Sequence, residues 1–416
     1  GVSLVGTRGA TRTTQLTADE LRAATRTTAQ GQLQVERIDG SGHTKLVQRG
    51  SDGALQTSTG DTITAGFSQG REGMMELANA AQAGHVTVSS VPATKPGAVA
   101  VAPAEATAAR ASYDGGASRL TLAGGVHLQQ GGFDLSASNV TMNQQTGDAE
   151  ASGSVMATTL EQAKAPAPGH KAGAPQPVPQ PAHVSANRAT LLHGPQLAEF
   201  FGTLGHPARL WQGASEVQAA SLLFDQKKKS IAARPESGGK VHAVFVRPTT
   251  GGGKTAQPPM ALRVASSAMN YDDVHREATF SGGVRTQASS LETVSDRAVI
   301  LLEPQQKGAA AAVRQPEFGG QLRQVVLLDN VRLSEPGRTG TGATLVYDAA
   351  EARYTLTGTP GHPPHVVDSK QGSITGATLV FHEEGTGPAG STIIVNGADA
   401  GAKQGRVRTE VEVRGK

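Results

Sequence analysis

Apolar and polar residues alternate along much of this chain, most clearly between residues 113 and 155. Alternation of this kind is typical of a β-strand with one buried face and one solvated face. Asp114 and Gly115 precede an alternating run and predict a tight turn, because Asp bonds its own backbone and Gly adopts positive φ. The segment therefore predicts a strand, a turn and a returning strand. Gly124, midway along the return, indicates a bulge, a bend or a close approach to the backbone.

The hairpin pattern repeats along the chain. In three copies a Tyr-Asp pair is followed, eleven residues after the tyrosine, by a glycine: Tyr113 and Gly124, Tyr271 and Gly282, Tyr347 and Gly358. In looser copies the same position is occupied by Gly84, Gly153, Gly202 and Asp329. Internal repetition predicts a modular fold in which each unit packs on its neighbour. We therefore predict an all-β chain, an elongated tandem array of β-hairpins with Pro/Gly-rich loop insertions.

The same pattern divides the chain into segments. We expect residues 1–26 to be poorly structured, with a short helix at 17–24, and residues 161–182 and 247–260 to be a Pro-rich linker and a Gly/Pro loop. Between and after them lie the predicted β modules and the tail: a first module or modules at 27–160, a second at 183–246, a third at 261–410 and the tail at 411–416.

Composition supports a thin β structure. Aromatic residues make up only 3 % of the chain, beside 52 glycines and 22 prolines, whereas compact enzymes depend on aromatic side chains to fill their cores. The net charge of +3, with no basic run interleaved with aromatics, predicts no nucleic-acid partner. Without cysteine there is neither a disulfide nor a cysteine-based zinc site. No apolar run is long enough for a transmembrane helix, and we expect a mature or truncated product because the sequence opens at Gly1.

Catalytic signals are weak, so we predict no enzyme, no cofactor and no metal. Residues 251–255 resemble the end of a phosphate-binding loop, but Pro248 stands where that motif needs glycine. His362 and His365 are separated by prolines, which preclude the helix that would place both rings on one face. Lys227, Lys228 and Lys229 follow a predicted strand at a hairpin tip. They form either a solvated turn or a contact with an acidic ligand headgroup.

A set of apolar residues shares the inward parity of the hairpins. Either these side chains only fill the gap between two sheets, or they line a long apolar trough. An acyl chain of about twelve carbons buried in such a trough would gain on the order of 10 kcal/mol, at ~0.8 kcal/mol per CH₂. The candidate groove residues are Leu120, Leu122, Val126, Leu128, Phe133, Leu135, Phe280, Val284, Leu327, Val331, Leu333 and Leu356.

The central hairpins also resemble a known family. The cadence is carried by Leu135, Ala137, Val140, Thr146, Gly147, Ala151, Gly153 and Val155. It is similar to the repeats of the OstA/LptA-like family of lipopolysaccharide-transport periplasmic proteins, and residues 279–284 and 326–331 resemble them too. The resemblance implies a β-jellyroll, or folded-sheet trough, in the periplasm of the Gram-negative cell envelope. There it would shelter the acyl chains of lipopolysaccharide, or a similar lipid, on the way to the outer membrane.

Partners follow from the family and from the sheet edges. The resemblance implies edge-strand pairing with other lipopolysaccharide-transport components. Unpaired backbone groups at the ends of a sheet also template pairing with another chain, which predicts a head-to-tail homo-oligomer.

Two other functions stay open. A structural or adhesive β-repeat protein of the cell surface would need nearly constant coil lengths, and the glycine positions are unevenly spaced. A sugar-active enzyme on a β scaffold would need a carboxylate pair and aromatic platforms, and Trp211 is the only tryptophan.

Overall fold

Every secondary-structure element that the computed structural model describes is a β-strand. The chain forms two compact units, Gly1–Phe201 (unit 1) and Gly202–Lys416 (unit 2). The prediction of an all-β folded-sheet architecture is confirmed. No helix that is long and apolar enough to cross a membrane occurs in the described part of the chain. The structure describes residues 2–8, 12–27, 33–50, 52–69, 75–93, 102–159, 181–247, 260–303, 320–369, 372–382, 394–396 and 408–410.

Unit 1 is an antiparallel meander. Its strands are β1 Val2–Arg8, β2 Arg12–Ala18, β3 Glu20–Thr27, β4 Leu33–Arg49, β5 Leu55–Gln69, β6 Met75–Val91, β7 Ala104–Asp114, β8 Arg119–Gln130, β9 Phe133–Asn143, β10 Ala149–Thr159, β11 Ala182–Leu192 and β12 Leu197–Phe201. From β4 onward each strand pairs with the next one in the chain. β3 pairs with the first half of β4, and β2 pairs with its second half.

A bend divides the long strands of unit 1 into two halves. Two consecutive residues with positive φ interrupt every second strand from β4 to β10: Gly42–His43, Gly84–His85, Gly124–Gly125 and Gly153–Ser154. The pairing register shifts at the same points. Leu122 and Val126 are buried on either side of the β8 bend, so both halves face one interior. The bend predicted at Gly124 is present.

Glycine is required at the bend for two reasons. Gly124 has φ +86 and Gly282, at the equivalent bend in unit 2, has φ +82, a region that disfavours residues with a Cβ. A Cβ on Gly124 would also lie 2.7 Å from Cβ of Ala109, and one on Gly282 would lie 2.6 Å from Cβ of Ser267. The repeated glycine thus reflects both backbone conformation and the neighbouring strand.

Unit 2 completes the same plan with shorter strands. They are β13 Ala208–Gln212, β14 Ser215–Ala219, β15 Ser221–Asp225, β16 Ser230–Arg234, β17 Val241–Arg247, β18 Met260–Ser266, β19 Ala268–Asp272, β20 Glu277–Ala288, β21 Leu291–Leu302, β22 Leu322–Glu335, β23 Arg338–Asp348, β24 Arg353–Thr357, β25 His365–Asp368, β26 Gly372–Thr375, β27 Thr378–His382, β28 Ile394–Asn396 and β29 Arg408–Glu410. Only β20 to β23 run through both halves, with positive-φ pairs at Gly282–Gly283 and Asp329–Asn330.

The two halves of unit 2 form two layers. In the first layer β15, β16 and β19 precede β20–β23, and β24, β27 and β28 follow them. In the second layer β13, β14, β17 and β18 precede the same long strands, and β25, β26 and β29 follow. Phe245 of the second layer meets Phe280 of the first edge to face, with ring centroids 6.1 Å apart. The inward faces of the layers are therefore in contact.

At positions 202 and 358 the glycine of the repeat precedes a turn and not a strand bend. Each is followed by a tight turn, Thr203–His206 and Thr359–His362, closed by two backbone hydrogen bonds. Gly205 and Gly361 occupy the third turn position with φ +81 and +84, as that turn requires. The chain thus leaves the sheet at these points instead of bending within a strand.

The N-terminal segment differs from the prediction. Residues 1–26, expected to be poorly structured with a helix at 17–24, contain β1, β2 and most of β3. β3 forms a strand because it pairs with β4. Its sequence shows no alternating signal, since β3 is exposed along most of its length and has no apolar face. Leu16 of β2 is 1 % exposed and belongs to the core of the unit.

The remaining segment boundaries stay predictions. Most of the linker at 161–182, most of the loop at 247–260 and the tail at 411–416 lie outside the described residues. The division between the two compact units, after Phe201, falls inside the module expected at 183–246.

The bend glycine provides a stability test. Gly124→Ala should destabilise the protein by about 1–3 kcal/mol, because alanine is strained at this φ and its Cβ would displace Ala109. Urea unfolding followed by circular dichroism measures the change. Gly194→Ala is the matched control, since its added Cβ meets no atom within 4 Å. Equal midpoints for the two variants would show that the bend does not depend on glycine.

Candidate functional site

The candidate groove residues of unit 1 lie on the inner face of the folded sheet. Leu122, Val126 and Leu135 are 3 %, 1 % and 1 % exposed. Leu120, Leu128 and Phe133 are half-buried. Because β8 bends at Gly124, Leu120 and Leu122 belong to one half, whereas Val126 and Leu128 belong to the other.

Strand register joins these side chains into rows that cross the unit. One row consists of Leu16, Leu46, Ser58, Val88, Ala106, Leu128, Leu135, Ala157 and Val184. Facing it in the other half is the row Ile63, Gln82, Ala111, Leu122, Val140, Ala151, Ala189 and Phe200. Apart from Ser58 and Gln82, the apolar sides of successive hairpins are therefore continuous within unit 1.

The groove candidates of unit 2 are all in its core. Phe280, Val284, Leu327, Val331, Leu333 and Leu356 are each 3 % exposed or less. Phe280, Leu327 and Leu356 share one row of the first layer, which runs from Met269 to Leu379. Leu333 lies in the second layer, in register with Thr293 and Gly340. Each unit thus has an apolar interior of its own.

Small spaces remain between the two halves of each unit. A cavity of about 50 Å³ in unit 1 is lined by residues from both halves, among them Leu46, Val88, Tyr113 and Leu120. A cavity of about 20 Å³ in unit 2 is lined by Leu262, Leu327 and Tyr354 among others. Spaces of this size hold a few water molecules. At these two places an acyl chain would fit only if the halves moved apart or their side chains repacked.

A few polar groups face the apolar interior. In unit 1 the Thr44 hydroxyl donates to the Gly60 carbonyl at 2.8 Å, and the Gln82 amide lies 3.5 Å from the Thr44 oxygen. In unit 2 the hydroxyls of Thr286 and Thr293 are 2.5 Å apart. Internal bonding of this kind offsets the cost of burying these groups.

A buried arginine closes one edge of the unit 2 interior. Arg338 donates to Asp368 at 3.0 Å and to Glu335 at 2.8 Å. Its guanidinium carbon also lies 5.6 Å from the ring centroid of Phe381 in the opposite layer. Arg276 makes a second such site, with bonds of 2.7 Å to the Tyr271 hydroxyl and 3.0 Å to Asp273. At the margin of the unit 2 interior, Arg338 and Arg276 are thus each paired with a carboxylate and each lie near an aromatic ring.

Sequence reasoning missed these arginines, although a signal existed for Arg338. It has the same parity as Gly340 and Gly342, the inward positions of β23, so alternation placed a charge on the apolar face. A charge at such a position indicates a buried ion pair, since unpaired burial is costly. Its partner Asp368 is thirty residues away and could not be assigned without the fold.

At the outer side of the bends, histidine–aspartate pairs connect neighbouring strands of unit 1. His43 Nδ1 is 2.7 Å from Asp19 Oδ2, and His85 Nδ1 is 3.0 Å from Asp61 Oδ2. The hydrogen bond to Asp19 and the charge of that carboxylate raise the pKa of His43 above its ordinary value. Both histidines are more than nine-tenths exposed, so solvent screens the pairs and they add little to stability.

The three lysines form the exposed turn between β15 and β16. The Lys228 backbone N–H donates to Asp225 Oδ1 at 2.9 Å, and Lys228 Nζ lies 3.2 Å from Asp225 Oδ2. That backbone hydrogen bond lowers the pKa of Asp225. A headgroup contact for Lys227, Lys228 and Lys229 stays a prediction.

The structure does not bring His362 and His365, the weak catalytic candidates, into one site. His362 is part of the exposed turn Thr359–His362, whereas His365 Nδ1 lies 2.9 Å from the Thr375 hydroxyl. Among the described residues, no cluster of three or more His, Asp or Glu side chains could hold a metal ion. The segment 251–255 lies outside the described residues.

The fold and its apolar interior define an all-β protein built from bent hairpins. Residues 105–230 match the family model described as "LptA/(LptD N-terminal domain) LPS transport protein". The matched range begins in β7 and ends in β16, and it contains the hairpins that carry the resemblance. The predicted similarity to OstA/LptA-like proteins is therefore confirmed. None of the curated proteins has a matching sequence.

Solved structures give a further match. LptH, described as the LptA-homologous periplasmic component of the lipopolysaccharide transport device from Pseudomonas aeruginosa, is 12 % identical in sequence. The match covers 36 % of this chain and 95 % of that chain, with a TM-score of 0.28.

The buried ion pair provides a second test. Asp368→Asn should cost about 1.5–3 kcal/mol, because Arg338 loses one of its two carboxylate partners and keeps Glu335. Replacing both Arg338 and Asp368, as Arg338→Met with Asp368→Leu, should recover part of that loss, because the buried arginine is removed and only the partly exposed Glu335 loses its bond to it. Urea unfolding midpoints measure both effects.

The matched control is Arg297→Gln, which removes an exposed pair with Asp329 and should cost less than about 1 kcal/mol. A double variant that is less stable than Asp368→Asn alone would mean that Arg338 contributes more than this pair explains.

Proposed function

We propose that this chain is a non-enzymatic periplasmic lipid carrier that shelters the acyl chains of lipopolysaccharide between the two halves of its folded sheet. One observation carries the proposal, namely the continuous apolar rows shared by successive hairpins. The family match over residues 105–230 supports it and suggests the class of cargo.

The chemistry needs no reactive group. Transfer of an acyl chain from water into an apolar site is favourable by ~0.8 kcal/mol of free energy per CH₂. An apolar lining is sufficient for this transfer. Part of this gain is offset when the halves separate, because contacts between facing side chains are lost. Unit 1 is the better candidate for opening, since alanine contributes much of its lining and its cavity already extends to the half-buried Leu120.

Photo-crosslinking along β8 tests the cargo and its location together. A benzophenone amino acid at Leu120 or Leu128, which face inward and are half-buried, should crosslink lipopolysaccharide. The same group at Thr121 or His127, which have the opposite parity on the same strand, should not. Immunodetection of a lipid-shifted band measures the yield.

Equal crosslinking at both parities, or none at either, would contradict an internal acyl site. Crosslinking of a phospholipid in place of lipopolysaccharide would keep the carrier and change its cargo. Half-buried positions are used because a polar or bulky group at Leu122 or Phe280 would threaten folding.

The proposed partners are other lipopolysaccharide-transport components and further copies of the chain, joined by edge strands. In the described part of the chain, β1 pairs with β2 on one side, and β29 pairs with β26. Backbone groups on the other side of such strands can template pairing with a strand of another chain.

Light scattering across a range of concentrations tests this assembly. The full chain should form concentration-dependent oligomers, and removal of residues 1–8 should shift it to monomer by deleting β1. Removal of residues 411–416 is the control and should leave the distribution unchanged. A full chain that stays monomeric at every concentration would contradict edge pairing.

A further inference from the structure

The outer face of the second layer of unit 2 has an unusual charge pattern. One register row crosses nine strands of this layer without a carboxylate. Its members are Arg209, Gln218, His242, Ala265, Arg285, Val294, Arg332, Thr341 and His365. Arg263 lies in the adjacent row, in register with Gln287. We call Arg209, His242, Arg263, Arg285 and Arg332 the basic face.

Three arginines of the basic face have no partner among the residues that the structure describes. Arg263, Arg285 and Arg332 are exposed, and the structure records no ion pair or side-chain hydrogen bond for them. Elsewhere in unit 2, Arg276, Arg297 and Arg338 are each held by a carboxylate. Arg323, on the first-layer half of β22, is also exposed and has no recorded partner among the described residues, so such arginines are not confined to this face. Three of them nevertheless lie close together on it.

The three guanidinium groups are close enough to repel one another. Arg285 and Arg332 are separated by one strand, so their Cα atoms lie roughly 10 Å apart, at about 4.8 Å per strand. Arg263 is the diagonal neighbour of Arg285, a separation of about 7–8 Å. These separations are comparable to the Debye length of about 8 Å at physiological ionic strength. Such an arrangement favours a ligand that carries several negative charges.

The nearby carboxylates offset only part of this charge. Glu216 is bonded to Arg209, and Asp296 accepts a hydrogen bond from Asn330 at 2.6 Å. Glu292 is exposed and is a diagonal neighbour of Arg285 and Arg332; it forms no recorded ion pair with them, but its charge balances one of the three arginines. The face therefore keeps a net positive charge around Arg285.

The shape of the face indicates what kind of anion fits. A sheet surface offers a flat array rather than a pocket, so it suits another flat surface better than a single small anion. Val294, 41 % exposed, stands between Arg285 and Arg332, and Val367, 47 % exposed, lies on the same outer face. Aliphatic side chains next to arginines suit the boundary between lipid phosphates and acyl chains. The arginines can bind the phosphates in a bidentate manner, and the aliphatic groups can contact the acyl chains.

We propose that the basic face docks the protein on an anionic phospholipid membrane. This goes beyond lipid carriage, because it concerns the outside of the sheet and does not involve the interior. Docking of this kind is weak and salt-dependent, since each arginine near an anionic surface contributes only a few-fold in affinity. It would hold the carrier beside the bilayer that supplies or receives its cargo.

Vesicle flotation tests the proposal. The full chain should float with vesicles of phosphatidylcholine and phosphatidylglycerol at 50 mM salt, and at most weakly with phosphatidylcholine alone or at about 500 mM salt. Arg285→Gln with Arg332→Gln should weaken binding by roughly 10- to 30-fold. Because both side chains are exposed and unpaired, the unfolding midpoint should not change.

The matched control removes the same charge from unit 1. Arg110→Gln with Arg119→Gln, both exposed, should change binding by less than about twofold. The proposal is overturned by equal binding to neutral vesicles, by an equal loss in the control variant, or by retention of duplex DNA without vesicle binding. Crosslinking at Leu120 should be the same in both variants, which separates membrane docking from acyl capture.

Discussion

The structure depends on a steric constraint at the middle of each hairpin. Two successive residues with left-handed backbone bend the strand. Where the first of them is glycine, as at Gly124 and Gly282, the facing residue of the neighbouring strand lies too close for a Cβ; at the β22 bend Asp329 takes this position. The bend turns both halves of a strand toward one interior. Without it the same alternating sequence would form a flat sheet with one apolar face exposed to water, which is prone to association.

The bend also explains how a chain so poor in aromatic residues buries a core. Rows of Val, Leu and Ala from successive strands meet across the fold, so each hairpin adds a small increment instead of a large aromatic cluster. The two units fill the interior differently. In unit 1 alanine is frequent along the inner rows, whereas in unit 2 Tyr271, Phe245, Phe280 and Phe381 are fully buried. Separating the two halves should therefore cost less free energy in unit 1 than in unit 2.

Charge is distributed according to the two faces of the sheet. Inside, arginine occurs at the edge of unit 2 with carboxylate partners, because an unpaired charge there would be costly. Outside, Arg263, Arg285 and Arg332 face water at little cost, without a partner among the described residues. The interior is suited to apolar cargo and the outer surface of unit 2 to anions, so the two proposed activities use the inner and the outer face of the folded sheet.

The sequence by itself determined the elements whose signal is local. Parity along β8 identified Leu122 and Val126 as inward residues, and the glycine of the repeat located bends such as those at Gly124 and Gly282, because both signals depend on residues close together in the chain. The same glycine at 202 and 358 precedes a turn instead. Pairing between distant segments decided the rest. β3 is held by β4 without an apolar face of its own, and Arg338 finds Asp368 thirty residues away. The contact between Phe245 and Phe280 across the layers, and the proximity of Arg263, Arg285 and Arg332 on β18, β20 and β22, exist only once strand register is set.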